Sequence, residues 1–250
     1  MIQNAILRIP PLTCDQGLTT HYEKNIDINL LKFQHATYLS TLQSLNIQLE
    51  VLPALEKYPD SYFVEDTAII LPELIILTNP GAQERRGEVI HMAPILNKYR
   101  SCKSIIAPGT LDGGDIIVAE KKIFAGESNR TNKEGIAQLQ KHVQPLGYEV
   151  FTIPVKEGLH LKSGANYLGD HIFISTPALS DFFSEYTVIL TEPNEEYSAN
   201  CLHINGTLLF PEGYPKTAEK CIKEGFRLQL LDVSEIRKMD GGLTCMSLRI

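Results

Sequence analysis

The strongest constraint on the fold is a repeat. Four times along the chain, two β-prone runs flank a turn and a stretch with helical signals follows. Residues 67–80 carry two apolar runs around Leu-Pro-Glu-Leu. Residues 115–128 read Asp-Ile-Ile-Val-Ala, Glu-Lys-Lys, then Ile-Phe-Ala-Gly. Residues 165–177 turn at Gly169-Asp170, and residues 199–211 at Asn205-Gly206. The last two turns have the chemistry that tight hairpins favour. The helical stretches fall at 85–100, 132–146, 180–190 and 216–224. A fifth unit opens at Cys245 with Cys-Met-Ser-Leu-Arg-Ile, where the chain stops. Its remaining parts are expected from the other terminus. There, residues 4–10 read as a strand, and 27–45 have the 3.6-residue apolar spacing of a helix. Five β-rich units, the last shared by both ends, predict an α/β ring with pseudo-fivefold symmetry, because closure removes free sheet edges. No linker or low-complexity segment divides the sequence, so residues 1–250 are expected to form a single catalytic domain.

In such a ring, equivalent positions face one axis. Polar residues sit just before or at the start of the first strand of successive units: Glu65 and Asp66, then Asp112, His160, Asn200 and Cys245. A nucleophile, a base and several carboxylates are thus expected to converge on one pocket.

Composition bounds the chemistry. The formal net charge of −7 argues against a nucleic-acid partner and favours a cationic ligand. The five cysteines are odd in number and widely spaced, with no Cys-x-x-Cys pair. They read as reduced thiols in a cytoplasmic protein rather than as a disulfide framework. Neither a signal peptide nor a membrane span is expected from the apolar runs.

Cys245 lies in Asp-Gly-Gly-Leu-Thr-Cys-Met-Ser-Leu, where the double glycine lets the backbone approach a ligand closely. An inert buried thiol is the commoner fate of a single cysteine. His160, in Glu-Gly-Leu-His-Leu-Lys-Ser-Gly, is the candidate partner, since imidazole can accept and return a proton near neutral pH. Leu-Asp-Gly-Gly-Asp at 111–115 offers Asp112 to orient that histidine, although this motif alone is more often a turn. Asp60, Glu65 and Asp66 flank an apolar strand. A bound guanidinium, with several N–H donors, would compensate their burial. Arg85 and Arg130 are candidate anchors for a substrate carboxylate.

Taken together, segments 63–67, 80–86, 111–115, 130–132, 158–163, 199–201 and 243–247 resemble the dimethylarginine dimethylaminohydrolase family of the pentein, or amidinotransferase-like, superfamily. They are collinear and span nearly the whole chain. The resemblance implies a five-module ββαβ propeller with a central active-site channel. It implies Cys245 as nucleophile, His160 as acid/base and Asp112 as the partner of His160. Asp60 and Asp66 would contact substrate nitrogens, with Glu65 a substrate-site residue in the same acidic cluster, and Arg85 and Arg130 would bind the α-carboxylate. The backbone near Leu18 would meet the α-amino group, and that near Met239 would close the pocket. The implied reaction releases citrulline and a methylated amine through a covalent S-alkylthiouronium, with no metal or organic cofactor. The implied partner is a small cationic guanidino substrate, with homodimer formation left open. Separately from the resemblance, the position of residues 13–25 before the first helix suggests a mobile lid as a hypothesis that the sequence does not decide.

Arginine deiminases share the superfamily but resemble longer chains. They place an acid two positions after the catalytic histidine, where this chain has Lys162. A dimethylated nitrogen has no N–H to donate, so no acceptor is needed there; this favours methylarginine and leaves hydrolysis of arginine or another small guanidino compound as the alternative. Amidinotransfer, a non-catalytic ring protein that binds a macromolecule and a cysteine protease are weaker readings.

Overall fold

The computed structural model describes residues 1–20 and 25–250. These form five three-stranded sheets. The N-terminal part supplies β1 (Asn4–Arg8), α1 (Ile28–Ser44) and β2 (Gln48–Leu52). The next unit has β3 (Ala68–Ile70), β4 (Ile75–Leu77), α2 (Arg86–Leu96) and β5 (Cys102–Ser104). It is followed by β6 (Ile116–Ala119), β7 (Lys122–Glu127), α3 (Lys133–Val143) and β8 (Glu149–Pro154). Then come β9 (Ala165–Gly169), β10 (Ile172–Ser175) and β11 (Thr187–Leu190). The last complete unit holds β12 (Leu202–Ile204), β13 (Thr207–Pro211), α4 (Pro215–Lys223) and β14 (Leu228–Leu231). The chain ends through α5 (Ser234–Lys238) and β15 (Leu248–Arg249).

Every sheet has one plan. The first strand pairs antiparallel with the second, and the second pairs parallel with the third. The parallel step needs a crossover, which a helix supplies in four of the five units. The fifth sheet, ordered β15-β1-β2, obeys the same plan with its first strand taken from the C-terminus. Ala5 faces Arg249 and Ile6 faces Leu248, so the two ends of the chain share one sheet, as the repeat predicts.

Local chemistry explains the helices. In α1, Leu31, Gln34, His35, Tyr38 and Leu42 form the buried stripe. Asp27 caps it by accepting from the N–H groups of Asn29 and Leu30. Asn132 caps α3 by accepting from Gly135, and α4 opens on Pro215, whose missing N–H costs nothing at that position.

Two expectations fail. Residues 180–190 hold no α-helix. A 3-10 turn at Ser180–Phe183 leads through residues 184–186 into β11, whose Thr-Val-Ile-Leu run suits a strand. Where the other units pack a helix, this one packs rings: Phe173 and Phe183 stack at 4.2 Å, and Phe124 and Tyr186 meet Phe173 edge-on. The turn expected at Gly169-Asp170 sits one residue later. Asp170 and His171 take positive φ angles of 48° and 62°, and the register shifts beside Ile172.

The first strands of the five units surround a central chamber of about 250 Å³. Glu65 lies on its wall, buried, and accepts from Lys162 Nζ at 2.7 Å, Arg249 Nη2 at 2.8 Å and Thr244 Oγ1 at 2.7 Å. The Nη2 bond to Glu65 ties the closing strand to the first complete unit, and Arg249 Nη1 braces the closing segment itself by donating to the carbonyls of Thr244 and Ser247. Replacing Arg249 strips a buried carboxylate of one of its two cations. We expect Arg249→Met to cost about 3 kcal/mol, read as a lower urea midpoint with unchanged slope. An unchanged midpoint would show that closure does not rest on this side chain.

Candidate active site

The chemistry-bearing residues sit on one repeated local structure. A short 3-10 turn precedes the first strand of each complete unit: Val64–Thr67, Gly113–Asp115, Leu161–Ser163 and Glu196–Ala199. Asp66 lies within its turn, Asp112 and His160 immediately precede theirs, and Asn200 immediately follows. Cys245 occupies the corresponding turn of the fifth unit, where its carbonyl accepts from the N–H of Glu65 at 3.0 Å.

Cys245, His160, Asp60, Asp66, Arg85, Arg130, Leu18 and Met239 line one cavity, together with Phe63, Leu159, Asp240 and Gly241. Asp112 is fully buried behind His160, with Oδ2 at 3.0 Å from the imidazole Nε2. Its other oxygen accepts from the N–H of Gly81. Asp66 Oδ1 lies 4.0 Å from the same Nε2 and accepts from the N–H of Gly114, while Oδ2 takes Arg85 Nη1 at 2.5 Å.

Burial alone would push His160 down. The negative field of Asp66, Asp115 and Asp112 outweighs it and raises the imidazole to about 9. Burial likewise opposes ionisation of Asp66, but His160, Arg85 and the Gly114 N–H hold it down at about 2. For Cys245, burial and then the carboxylates of Glu65 and Asp66 push the thiol up to about 12. At neutral pH the empty site therefore holds an imidazolium and an un-ionised thiol.

The two arginines expected to act alike are held differently. Arg85 is buried. Its Nε and Nη2 form a fork with Glu88, Nη2 also reaches the carbonyls of Asp60 and Phe63, and Nη1 holds Asp66. These bonds leave one Nη1 hydrogen for a ligand, because three carboxylate oxygens and two carbonyls already share the other four. Arg130 is held loosely, 3.7 Å from Asp112. Of the two guanidinium groups, Arg130 is the less committed to neighbouring groups. Glu65 departs from expectation more plainly. It lies off the cavity wall, paired with Lys162 and Arg249 on the chamber side. Its carboxylate acts on the site through its field on the Cys245 thiol.

Of the expected lid at 13–25, residues 21–24 lie outside the described residues. The preceding stretch covers the cavity. Leu18 N–H donates to Asp60 Oδ2 at 3.0 Å, Thr19 Oγ1 to the Lys238 carbonyl, and Thr20 N–H and Oγ1 to the two carboxylate oxygens of Asp240. The covered cavity is about 20 Å³, room for about one water. As it stands the cavity is too small for an amino-acid ligand. Sequence reasoning missed Asp240 and Glu88. Glu88 was legible as the i+3 partner of Arg85 at the start of α2.

Asp66, Asp112 and His160 could also offer atoms to a metal ion, lying within 4.8 Å of one another. Their existing partners are Arg85, the Gly81 and Gly114 N–H groups and each other. That donor set is already neutralised by cations and amides and is a poor fit for a divalent ion.

Two measurements test this electrostatic arrangement. A Cβ on Gly114 would lie 2.7 Å from His160 Nδ1 and 2.9 Å from Asp66 Oδ1. Gly114→Ala should displace the ring from Asp112. The imidazole pKa read by NMR should then fall from about 9 toward the ordinary histidine value; a pKa that stays put would show that the ring has room. Glu65→Gln removes the leading carboxylate field on the thiol. Alkylation of Cys245 by iodoacetamide at pH 8, followed on its own peptide by mass spectrometry, should accelerate about tenfold or more. An unchanged rate would remove Glu65 from the control of this thiol.

Comparison with known proteins agrees with the geometry. Residues 16–181 match the family described as N,N dimethylarginine dimethylhydrolase, eukaryotic. The chain is 36% identical to the N(G),N(G)-dimethylarginine dimethylaminohydrolase of Pseudomonas aeruginosa, with all of both chains covered. It is 35% identical to the Streptomyces coelicolor protein of the same name, over 99% of this chain and 97% of that one. The structure superposes on a cysteine-to-serine variant of the P. aeruginosa protein complexed with citrulline, with a TM-score of 0.97, 34% identity and full coverage of both chains. A ring closed by its own termini, a histidine raised by three carboxylates beside a half-buried cysteine, and full-length similarity to two relatives of that name lead to one conclusion: the chain belongs to the dimethylarginine dimethylaminohydrolase family.

Proposed function

We propose that the protein hydrolyses Nω-methylated L-arginine to citrulline and dimethylamine or methylamine. The observation that carries this reading is the meeting of Cys245, His160 and the carboxylates of Asp60 and Asp66 on one cavity wall. All five units of the ring contribute to that site or its supports, so residues 1–250 act as one catalytic unit.

The substrate brings a cation to the thiol. A guanidinium about 4 Å from the sulfur, at an effective dielectric constant of about 20, favours the thiolate by about 4 kcal/mol. That is equivalent to about three pH units, and it brings a thiol held up at about 12 toward the working range. The thiol proton leaves to solvent as the cation seats. The thiolate then forms a C–S bond to the guanidinium carbon. Protonated His160, steadied by Asp112 through Nε2, gives its other ring proton to the departing amine as the C–N bond breaks. The S-alkylthiouronium remains on Cys245. A water gives one proton to His160 as its oxygen bonds to the same carbon; the C–S bond then breaks, the remaining hydroxyl proton passes to the departing Cys245 sulfur to restore the thiol, and citrulline is released. Asp66 faces the guanidinium nitrogens. Arg130 meets the α-carboxylate, and the Leu18 carbonyl and Asp60 meet the α-amino group.

The test is citrulline release by wild type and Cys245→Ser, with asymmetric dimethylarginine, monomethylarginine and arginine supplied separately. We expect turnover of the methylated substrates, lost in the variant. Turnover should also fall as pH rises through about 9, where His160 loses the proton it must donate. Turnover of arginine alone would make the protein a deiminase, and no citrulline from any of the three would overturn the proposal.

A further inference from the structure

We propose that Asn200 is a positioning residue that clamps the loop carrying His160 to the turn carrying Cys245. The inference rests on the reaction proposed above. Asn200 is buried and lies outside the cavity that holds the nucleophile. Its side-chain amide joins two backbone segments that no strand pairing connects. Oδ1 accepts from the N–H of Thr244 at 3.1 Å, one residue before Cys245. Nδ2 donates to the carbonyl of Lys162 at 3.1 Å, two residues after His160, and to Thr244 Oγ1 at 3.3 Å. One planar amide therefore sets the separation of the nucleophile's backbone from that of its acid/base partner.

A second observation fits the same role. A Cβ on Gly242 would collide with the Asn200 amide, and one on Gly241 with the ring of Phe63. The double glycine before Cys245 is thus what lets the nucleophile's turn close onto Asn200 and Phe63. Asn166 supplies an internal comparison. Its Nδ2 donates to the same Lys162 carbonyl and to the carbonyl of Ala199, with no bond to the cysteine turn. Both asparagines steady the His160 loop, but only Asn200 also holds Thr244.

An error of about 1 Å in the attack geometry costs on the order of 100-fold in rate. We expect Asn200→Ala to lower kcat by about that factor, with KM within about twofold of wild type and the unfolding temperature shifted no more than in Asn166→Ala. In Asn166→Ala, kcat should stay within about threefold of wild type. Alkylation of Cys245 by iodoacetamide needs no substrate and reads the same clamp: its rate should change several-fold in Asn200→Ala and not in Asn166→Ala. That readout holds even if wild type releases no citrulline, so failure of the reaction assignment and failure of the clamp remain distinguishable. Equal losses in the two variants, or a loss confined to KM, would reduce Asn200 to a structural residue and overturn the proposal. Should Asn200→Ala not fold, Asn200→Asp keeps the acceptor for Thr244 and loses the donors to Lys162. A lowered kcat with KM preserved supports the clamp, and an unchanged kcat overturns it.

Discussion

The rest of the structure depends on ring closure. Four units run in order along the chain, and each can form its own sheet. The fifth exists only when β15 returns to lie beside β1, with two residues in register on each side. Cys245 sits in the turn just before β15, and its carbonyl is bound by the N–H of Glu65 in the first complete unit. The nucleophile is therefore placed only in the closed ring. Tyr38 in α1 reinforces the closure by bonding Ser247 at 2.8 Å, and Arg249 joins the same segment to Glu65.

Within that frame the site is a chain of buried charges, each held by the next. Glu88 holds Arg85, Arg85 holds Asp66, and Asp66 and Asp112 together surround His160. Such pairs add little net stability compared with an apolar core, but removing one member is costly. What the chain gains is a fixed geometry and a fixed protonation state. Linkage gives the pH window. The His160 contribution is complete below the ordinary imidazole range and is lost as pH rises through about 9. The Asp66 contribution is complete above the ordinary carboxylate range and is lost as pH falls through about 2. The site is most strongly held between those limits, where the proposed reaction needs the imidazolium.

Much of this was legible in the residues. The Asn205-Gly206 turn takes positive φ at both positions and joins β12 to β13 as a two-residue hairpin. The strand at 4–10 and the helix at 27–45 form as the fifth unit's missing parts. The failures have physical reasons. Residues 180–190 mix apolar and polar positions in a way that admits a helix, and parallel pairing with β10 decides for a strand. Arg85 and Arg130 each lie shortly before a helix, yet one is surrounded by Glu88, Asp66 and two carbonyls and the other is not. Glu65 and Asp66 are adjacent, and the 3-10 turn sends their side chains to opposite sides of the ring floor.

The sequence by itself determined the five-unit plan, because turn chemistry and apolar spacing are local and repeat. It also determined which residues can do chemistry, because only certain side chains donate, accept or attack. The tertiary structure decided what those residues are. Burial and the fields of Asp66, Asp115 and Asp112 make His160 an imidazolium at neutral pH, and burial with Glu65 and Asp66 keeps Cys245 a thiol until a cation arrives. Lys162 shows the division most clearly. Its position was evident from the sequence, but its direction, toward Glu65 and the Gly113 carbonyl rather than into the cavity, was set by which groups the closed ring brings within reach. Protonation states and side-chain directions depend on distances across the ring, and those distances exist only once distant segments have met.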